Sequence, residues 1–450
     1  MTLESPIRYT DTLDEGGYSK RAWWLIVLGL LLPGMPQLLA GNRKLGRFGI
    51  LSTLLLWIVA GVTIYFWFAD RNFLLGLATN TTILWVAQIT LFAYAALWLL
   101  LFLNTLSLLK LVRTRPGPSR IVIAVAAIVA VAVPVSSAAW VGMQVGTARD
   151  LIESVFGNGE ITEPVDGRYN ILLLGGDAGD NRFGLRPDSI SIASIDADTG
   201  QISIIGIPRN MQHIPFSEGS PLWSIFPNGY DCGDECLISY LYTEATVNHL
   251  GLYPEAEAAG SNPGVEATID GVEGLTGIQI QYYVLIDMKG FDNLIDALGG
   301  VTINVKERLP IGGKKDANGN ITGITGWIEV GVQKMDGRTA LWYARSRVTT
   351  SDYDRMLRQR ELQETVLRQF DVATVVTRFQ SVADAGKNLI TTNIPAGMIP
   401  VLLELAGEGK LQELKKLELT PPTYTTYKPN ISKIKNDVAE FLTKEVLTEE

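Results

Sequence analysis

The segment ILLLGGDAGDNRFGLRPDSISIASID, residues 171–196, decides the fold of this 450-residue chain. An apolar run at residues 169–175 ends in glycine and is typical of a buried strand. Residues 189–196 and 201–207 have the pattern of two more strands, and the DTG sequence at 198–200 favours a turn between them. The segment therefore predicts the start of a β-sheet.

Downstream of these strands, helical and strand patterns alternate. Such alternation predicts an α/β fold, an α-β-α sandwich in which helices cover both faces of a sheet. We expect this domain at residues 149–375 and a helical C-terminal extension and tail at 376–450. The predicted helices are 237–250, 265–275, 288–298, 336–345 and 355 to about 372, with strands at 282–287 and 301–305.

The first third of the chain predicts an all-α, multi-span membrane region. After a polar tail at residues 1–21, residues 22–148 contain about four apolar segments with the length of a membrane span. The first contains Pro33 and Pro36, which kink or break a helix, so whether it spans fully is left open. The four segments are 22–42, 48–69, roughly 83–106, and 121–148.

Basic residues predict the orientation of these segments, because Lys and Arg concentrate in cytoplasmic loops. The loop before the fourth segment carries four of them and no acid, so we place it inside. The chain from about residue 147 onward is then extracytoplasmic, while the side of the N-terminus stays open. The four residues are Lys110, Arg113, Arg115 and Arg120.

The composition of the chain argues against several classes of ligand and catalytic site. A formal net charge of -9 argues against binding to nucleic acid through bulk charge. The chain has two cysteines and two histidines, so a zinc cage or a histidine-based triad has few candidates. Cys232 and Cys236 lie in CGDEC, where they either form a local disulfide or remain free thiols.

Acidic and basic side chains concentrate around the first strand ends. The GGDAGD sequence matches neither GxGxxG nor GK[ST], so its glycines indicate a sharp turn that places Asp177 at the strand end. Asp188 begins the next strand, with Arg186 beside it. Two carboxylates suit Mg²⁺, which takes few protein ligands and completes its shell with water and phosphate. The alternative is an ordinary salt-bridged loop.

A second charged group lies more than 130 residues further along the chain. Asp352, Arg355 and Gln359 are spaced to share one face of a helix, although an exposed polar stripe has the same spacing. Acids with a surplus of arginines suit a phosphorylated, metal-bound ligand. The remaining arginines are Arg209 at a strand end and Arg345 and Arg347 at a helix end, where they also offset a helix dipole.

The chain resembles the LytR-CpsA-Psr family of cell-envelope proteins over residues 168 to about 370. Four strings carry the resemblance in the family's order: ILLLGGDAGDNRFGLRPDSI, GQISIIGIPRN, YYVLIDMKGFDNLIDALGGVTINV and MDGRTALWYARSRVTTSDYDRMLRQRELQ. The resemblance implies a Mg²⁺-dependent phosphotransferase of cell wall biogenesis. Such an enzyme moves a polyprenyl-pyrophosphate-linked glycan onto a peptidoglycan acceptor.

The resemblance also implies roles for the charged residues. Asp177 and Asp188 would hold Mg²⁺, and Gln359 would hydrogen-bond the phosphates. Asp352 would orient the arginines or act as the base, and with Arg345 and Arg347 it forms the expected catalytic set. The expected pyrophosphate ligands are Arg186, Arg209, Arg345, Arg347 and Arg355.

The chain departs from the family at several points. Pro187 replaces the usual Ser or Thr, and Asn210 replaces an Asp that is frequent after the arginine. Several apolar segments replace a single anchor, which predicts a multi-pass protein of the cell membrane in contact with the lipid bilayer. A non-catalytic sensor of polyprenyl-linked precursors and a polyprenyl pyrophosphate hydrolase are the alternative functions.

Overall fold

The computed structural model describes residues 13–156, 161–177, 186–316, 318–369 and 390–443, apart from a few side chains within them. The chain divides into two compact units, Met1–Asp150 and Leu151–Glu450. The first is helical and apolar, and the second contains the strands. The helix predicted from residue 355 was expected to end near residue 372. Residues 370–389 lie outside the described residues.

The first unit is built of long apolar helices. Among its described residues, three helical stretches are long and apolar enough to cross a membrane: Arg43–Ala69, Thr81–Arg113 and Pro118–Val155. They account for the second, third and fourth predicted segments. The helices of this unit are α1 Glu15–Leu31, α2 Met35–Ala40, α3 Arg43–Ala69, α4 Arg71–Thr79, α5 Thr81–Leu109 and α6 Pro118–Val155.

The first apolar segment is broken, as its prolines predict. Helix α1 ends after 17 residues, and α2 restarts with six. Between them Gly34 adopts φ 103°, a left-handed conformation that favours glycine. A Cβ there would lie 2.5 Å from the carbonyl oxygen of Gly46, so the close approach to α3 also requires glycine. Neither piece alone matches the roughly 20 residues that a spanning helix needs.

The second unit is organised around a mixed six-stranded sheet of order β10-β3-β2-β1-β4-β9. Strands β1, β2 and β3 form an antiparallel meander, and β4 joins β1 in parallel. Its strands are β1 Arg168–Asp177, β2 Arg186–Asp196, β3 Ile202–Ile207, β4 Tyr282–Asp287, β9 Ile390–Thr392 and β10 Lys415–Glu418.

Both faces of this sheet are buried, because apolar residues occupy both sides of the strands β1, β3 and β4. Leu172 and Leu174 pack on one face with the short helix α7 (Leu241–Thr243), α8 (Pro263–Thr276) and α13 (Ile431–Thr443). Ile171 and its neighbours pack on the other face with α12 (Ile399–Gly409). Helices therefore cover the sheet on both sides, and the predicted α/β sandwich is confirmed.

A second hydrophobic core lies beside this sheet. Helices α9 (Met288–Leu298), α10 (Gly337–Arg345) and α11 (Asp352–Gln369) pack there on β5 (Val301–Val305) and β8 (Gly331–Met335). Strands β6 (Leu309–Lys315) and β7 (Ile321–Ile328) form a separate antiparallel pair. The sequence analysis did not identify β6, β7 or β8, because their glycine-rich, largely exposed stretches lack a clear apolar alternation.

The C-terminal residues complete the central sheet at both edges. Strand β9 pairs antiparallel with β4, and β10 pairs parallel with β3. The expected helical extension from residue 376 therefore also supplies strands to the sheet. These strands have three and four residues, too few to give a recognisable strand pattern in the sequence.

Candidate functional site

The paired ends of β1 and β2 form one wall of the site. A register shift follows Gly175, after which Gly176 pairs with Pro187 and Asp177 with Arg186. This pairing brings both expected metal ligands to the same end of adjacent strands. Asp177 closes β1, and its side chain lies outside the part of the chain that the structure describes.

Arg209 connects this wall to the second charged group. It lies two residues after β3, and its Nη1 is 2.5 Å from Oδ1 of Asp188, while its Nε is 3.4 Å from Oδ2 of Asp352. Burial by itself would lower the pKa of Arg209, but the two carboxylates reverse this effect and hold its pKa above the ordinary value. Arg209 is therefore a permanent cation between two acids.

Asp352 is the first residue of α11 and contacts two more arginines. Its Oδ2 lies 3.1 Å from Nη2 of Arg355, and its Oδ1 lies 3.8 Å from Nη1 of Arg347. The spacing of Asp352 and Arg355 thus places them on one helix face, as predicted. Both carboxylate oxygens face guanidinium groups, so Asp352 orients arginines in this structure.

Arg355 lies at the buried floor of the site, with 5% of its side chain exposed. Its Nη1 is also 4.0 Å from Oδ2 of Asp188. Burial lowers the pKa of Arg355, and its Nε has no hydrogen-bond partner among the described residues. By contrast, 55% of the Arg347 side chain is exposed. The cluster therefore runs from a buried floor to an open rim.

The charges in this cluster favour an anionic ligand. Three guanidinium groups, those of Arg209, Arg347 and Arg355, face the carboxylates of Asp188 and Asp352. The positive charge therefore exceeds the negative charge, and guanidinium forks bind phosphate oxygens in bidentate geometry. This arrangement can offer guanidinium donors to the oxygens of a phosphate or pyrophosphate group.

The other predicted site residues have different contacts. The Arg186 guanidinium lies 5.2 Å from the ring centroid of Tyr240, and that of Arg345 lies 5.6 Å from the ring of Trp342. Gln359 donates from Nε2 to the carbonyl oxygen of Ala344 at 3.3 Å, which ties α11 to the end of α10. In the structure, Gln359 thus joins two helices, and its expected bond to phosphate stays a prediction.

The sequence analysis missed Arg358, which holds the loop between α10 and α11. Its side chain, 7% exposed, donates from Nε to the carbonyl oxygen of Tyr343 at 3.0 Å and from Nη2 to that of Ser346. It also donates to Thr350 Oγ1, at 3.1 Å, and pairs with Glu307. The local sequence DRMLRQR gave no signal for this role, because an arginine in so polar a helix resembles an exposed residue.

The metal-ligating potential of the site rests on its strand-end acids. Among the described residues, no three histidine, cysteine or acidic side chains converge on one point. Asp188 accepts from Arg209 through Oδ1, while its Oδ2 is beyond hydrogen-bond distance from Arg355. A second carboxylate would have to come from Asp177, at the paired end of β1, so the expected Mg²⁺ site stays a prediction.

The described residues thus form a mixed α/β domain with arginines and aspartates clustered at strand and helix ends. The chain belongs to the LytR_cpsA_psr family, whose model matches residues 153–436. This match covers more than half of the chain and includes β10 and the start of α13. The resemblance inferred from the sequence motifs is confirmed.

Two relatives and one solved structure illustrate the similarity. The polyisoprenyl-teichoic acid–peptidoglycan teichoic acid transferase TagU of Halalkalibacterium halodurans is 27% identical over 56% of this chain and 69% of its own length. The probable cell wall biosynthesis protein LcpB of Corynebacterium glutamicum is 38% identical over 25% of each chain. The crystal structure of B. subtilis TagV aligns with 63% of this chain and 100% of its own, with 20% identity and a TM-score of 0.44.

Proposed function

We propose that this protein is a membrane-anchored phosphotransferase that moves a polyprenyl-pyrophosphate-linked glycopolymer onto peptidoglycan. The observation that carries the proposal is the cluster of Arg209, Arg347 and Arg355 around Asp188 and Asp352. The names of the transferase relatives support the same donor and acceptor classes.

The arginines suit the electrostatic demands of phosphoryl transfer. In this reaction an acceptor hydroxyl oxygen bonds to the phosphorus that carries the glycan, and the bond to the bridging oxygen breaks. Polyprenyl phosphate leaves and takes up the proton that the acceptor hydroxyl loses. Positioning and charge neutralisation dominate catalysis of such steps. Arg355 fixes the pyrophosphate at the buried floor, and Arg209 and Arg347 bind its oxygens from the side and the rim.

Asp352 serves as a positioning residue in this proposal. Its carboxylate lies between Arg209, Arg347 and Arg355 and neutralises their mutual repulsion. The expected alternative, a general base, requires a carboxylate oxygen that is available to the acceptor hydroxyl. The contacts with three guanidinium groups therefore favour the positioning role. Arg345 and Arg186 complete the proposed pyrophosphate ligands at the periphery, and Gln359 contributes an amide donor.

We include Mg²⁺ in the proposal, held by Asp177 and Asp188. When bound, the cation would neutralise charge on the pyrophosphate oxygens. Asp188 would then serve both the cation and Arg209. The carboxylate has two oxygens for these tasks, and only Oδ1 lies at hydrogen-bond distance from Arg209.

The membrane unit fits a lipid-linked donor. We propose that the three long apolar helices cross the membrane and that the α/β unit lies on the extracytoplasmic side. Four basic residues lie between the end of α5 and the first turn of α6, and they support this orientation because such basic segments stay in the cytoplasm. They are Lys110, Arg113, Arg115 and Arg120. Multi-pass anchoring would keep the enzyme in the bilayer that contains its donor.

The test uses the full-length protein in detergent, supplied with a lipid-linked glycopolymer and peptidoglycan. We expect glycopolymer on peptidoglycan and release of polyprenyl phosphate, both reduced by EDTA and restored by Mg²⁺. Arg355→Ala should abolish transfer, whereas Arg308→Ala, which removes an exposed arginine paired with Glu329, should not. Phosphate release that is independent of acceptor would instead support a hydrolase. Binding of donor without any product would support a sensor.

A further inference from the structure

Behind the proposed pyrophosphate site, a buried ion pair joins α11 to the C-terminal edge of the sheet. Arg360, 2% exposed, lies one residue after Gln359, and its Nε is 3.2 Å from Oε1 of Glu418. Glu418 is the last residue of β10. The sequence analysis assigned no role to either residue, and it expected Glu418 to lie in a separate extension.

The ion pair contacts two strands of the central sheet. Strand β2 carries Asp188, and β3 leads into the loop that carries Arg209. Arg360 Nη2 donates at 2.9 Å to the carbonyl oxygen of Ile190, two residues after Asp188 on β2. The Glu418 carboxylate covers Gly206, three residues before Arg209, so closely that a Cβ on Gly206 would collide with it. The pair therefore contacts β2 and β3 from one position on α11.

The energetics of the pair favour a geometric role. Burying two charges costs free energy, and apolar residues of similar size often give equal or greater stability. The Arg360 Nε and the Glu418 oxygens make no hydrogen bonds within the described residues, so their attraction is Coulombic in a poorly solvated setting. Such a pair contributes little net stability, but it restricts how α11 can lie against the sheet.

We propose that Arg360 and Glu418 are positioning residues that set α11 against β2 and β3, so that Arg355 meets Asp188 and Arg209. The inference rests on the proposed function, because it assigns the pair to the same pyrophosphate site. Strand β10, which carries Glu418, would then help to position the residues of that site. A small shift of α11 would disturb the 3.1 Å contact between Arg355 and Asp352 and the 4.0 Å approach to Asp188.

The test measures binding of geranyl pyrophosphate to the full-length protein in detergent by isothermal titration calorimetry. We expect Glu418→Gln to weaken binding at least roughly tenfold, about the loss of one hydrogen bond between Arg355 and the pyrophosphate. The matched control is Glu364→Gln. Glu364 pairs at the surface with Lys416, so this change also removes a contact between α11 and β10. It should leave binding within about twofold of the unaltered protein.

Two further variants separate positioning from folding. Arg360→Lys retains the charge opposite Glu418 but loses the planar fork that also reaches Ile190, so intermediate binding is expected. The double variant Arg360→Met, Glu418→Met should keep the thermal midpoint, because apolar replacement removes the burial cost, and still bind weakly. Undiminished binding by Glu418→Gln or by the folded double variant would overturn the positioning role alone. Absence of binding by the unaltered protein would overturn the proposed function and this role with it.

Discussion

Nη1 of Arg209 lies 2.5 Å from Oδ1 of Asp188, which joins the loop after β3 to the start of β2. Asp188 has a second task in the proposed site, because it is also an expected Mg²⁺ ligand. The two roles make its charge more important than its shape.

Asp188→Asn keeps the size of the side chain but removes its charge. We expect turnover to fall at least roughly 100-fold, because both the Arg209 contact and the proposed cation site lose a carboxylate. Initial rates of glycopolymer transfer give the measurement, with circular dichroism to verify the fold. Asp198→Asn, in the exposed turn before β3, is the control and should retain full activity. Equal rates for the two variants would contradict the role of Asp188.

Arg355→Lys tests the buried floor of the site. Lysine keeps the positive charge but has no fork that can face Asp352 and Asp188 together. We expect the KM for the lipid-linked donor to rise and kcat to fall, with a combined loss of roughly 100-fold in kcat/KM. Arg368→Lys, at an exposed position later on the same helix, should leave both constants unchanged. A variant at position 355 with the parent's kinetics would rule out a pyrophosphate contact there.

The sequence predicted the parts of this site that lie at the ends of regular elements. Asp188 and Arg209 lie at the start and after the end of strands whose apolar pattern is clear, and the helix spacing placed Arg355 beside Asp352. Their mutual distances could not be predicted, since Arg209 and Asp352 are 143 residues apart and meet only through tertiary packing.

Other parts of the fold gave no usable local signal. Strand β10 has four residues, and only its pairing with β3 makes it a strand. Arg358 and Arg360 look like exposed helix residues in the sequence, but α11 buries them because neighbouring carbonyl groups and Glu418 satisfy their charge. Buried charges depend on distant partners, and the local pattern of a helix does not include those partners.

Arg358→Gln is expected to loosen the loop between α10 and α11. The change removes donors from the carbonyl oxygens of Tyr343 and Ser346, and buried acceptors that lose their partners are costly. We expect the thermal midpoint to fall by several degrees and transfer to slow, because this loop carries Arg347. Differential scanning fluorimetry and transfer assays measure the two effects. An unchanged midpoint would show that the loop is held by other contacts.

The buried carboxyl group of Glu273 should make the free energy of unfolding depend on pH. Burial raises the pKa of this carboxyl group on α8, although the backbone N–H of Ile280 donates to it at 2.7 Å. A raised folded-state pKa means that the folded protein binds the proton more tightly than the unfolded chain does. The stabilisation is therefore complete below the unfolded pKa, near 4.5, and is lost as the pH rises through the folded pKa.

Glu273→Gln should consequently raise the thermal midpoint at pH 7 to 8, because the amide has no buried charge and its oxygen can still accept from Ile280. The gain should shrink as the pH falls through the raised folded-state pKa, because the wild-type carboxyl group then takes up its proton. Thermal melts of both proteins across this pH range provide the measurement. A gain that is independent of pH would indicate a packing effect instead. Glu329→Gln, at an exposed position, is the control for general charge effects.

The disulfide between Cys232 and Cys236 predicts a redox dependence of donor binding. The residues that follow Cys236 contact two proposed pyrophosphate ligands. Ser239 N–H donates to the carbonyl oxygen of Arg209 at 3.2 Å, and the Tyr240 ring lies 5.2 Å from the Arg186 guanidinium. Closing so short a loop contributes only about 2 kcal/mol in the chain-entropy model. We therefore expect reduction to affect the nearby arginines more than global stability.

The double variant Cys232→Ser, Cys236→Ser should raise the KM for the lipid-linked donor several-fold, with a smaller effect on kcat. The physical reason is that the segment from Ser239 to Tyr240 gains freedom, so Arg209 and Arg186 are less well oriented when the pyrophosphate arrives. A phosphine reductant should produce the same change in the parent protein, and reoxidation should reverse it. The serine variant provides the matched control, because the reductant should leave its KM unaltered. If the parent's KM is the same with and without reductant, the disulfide has no part in orienting these arginines.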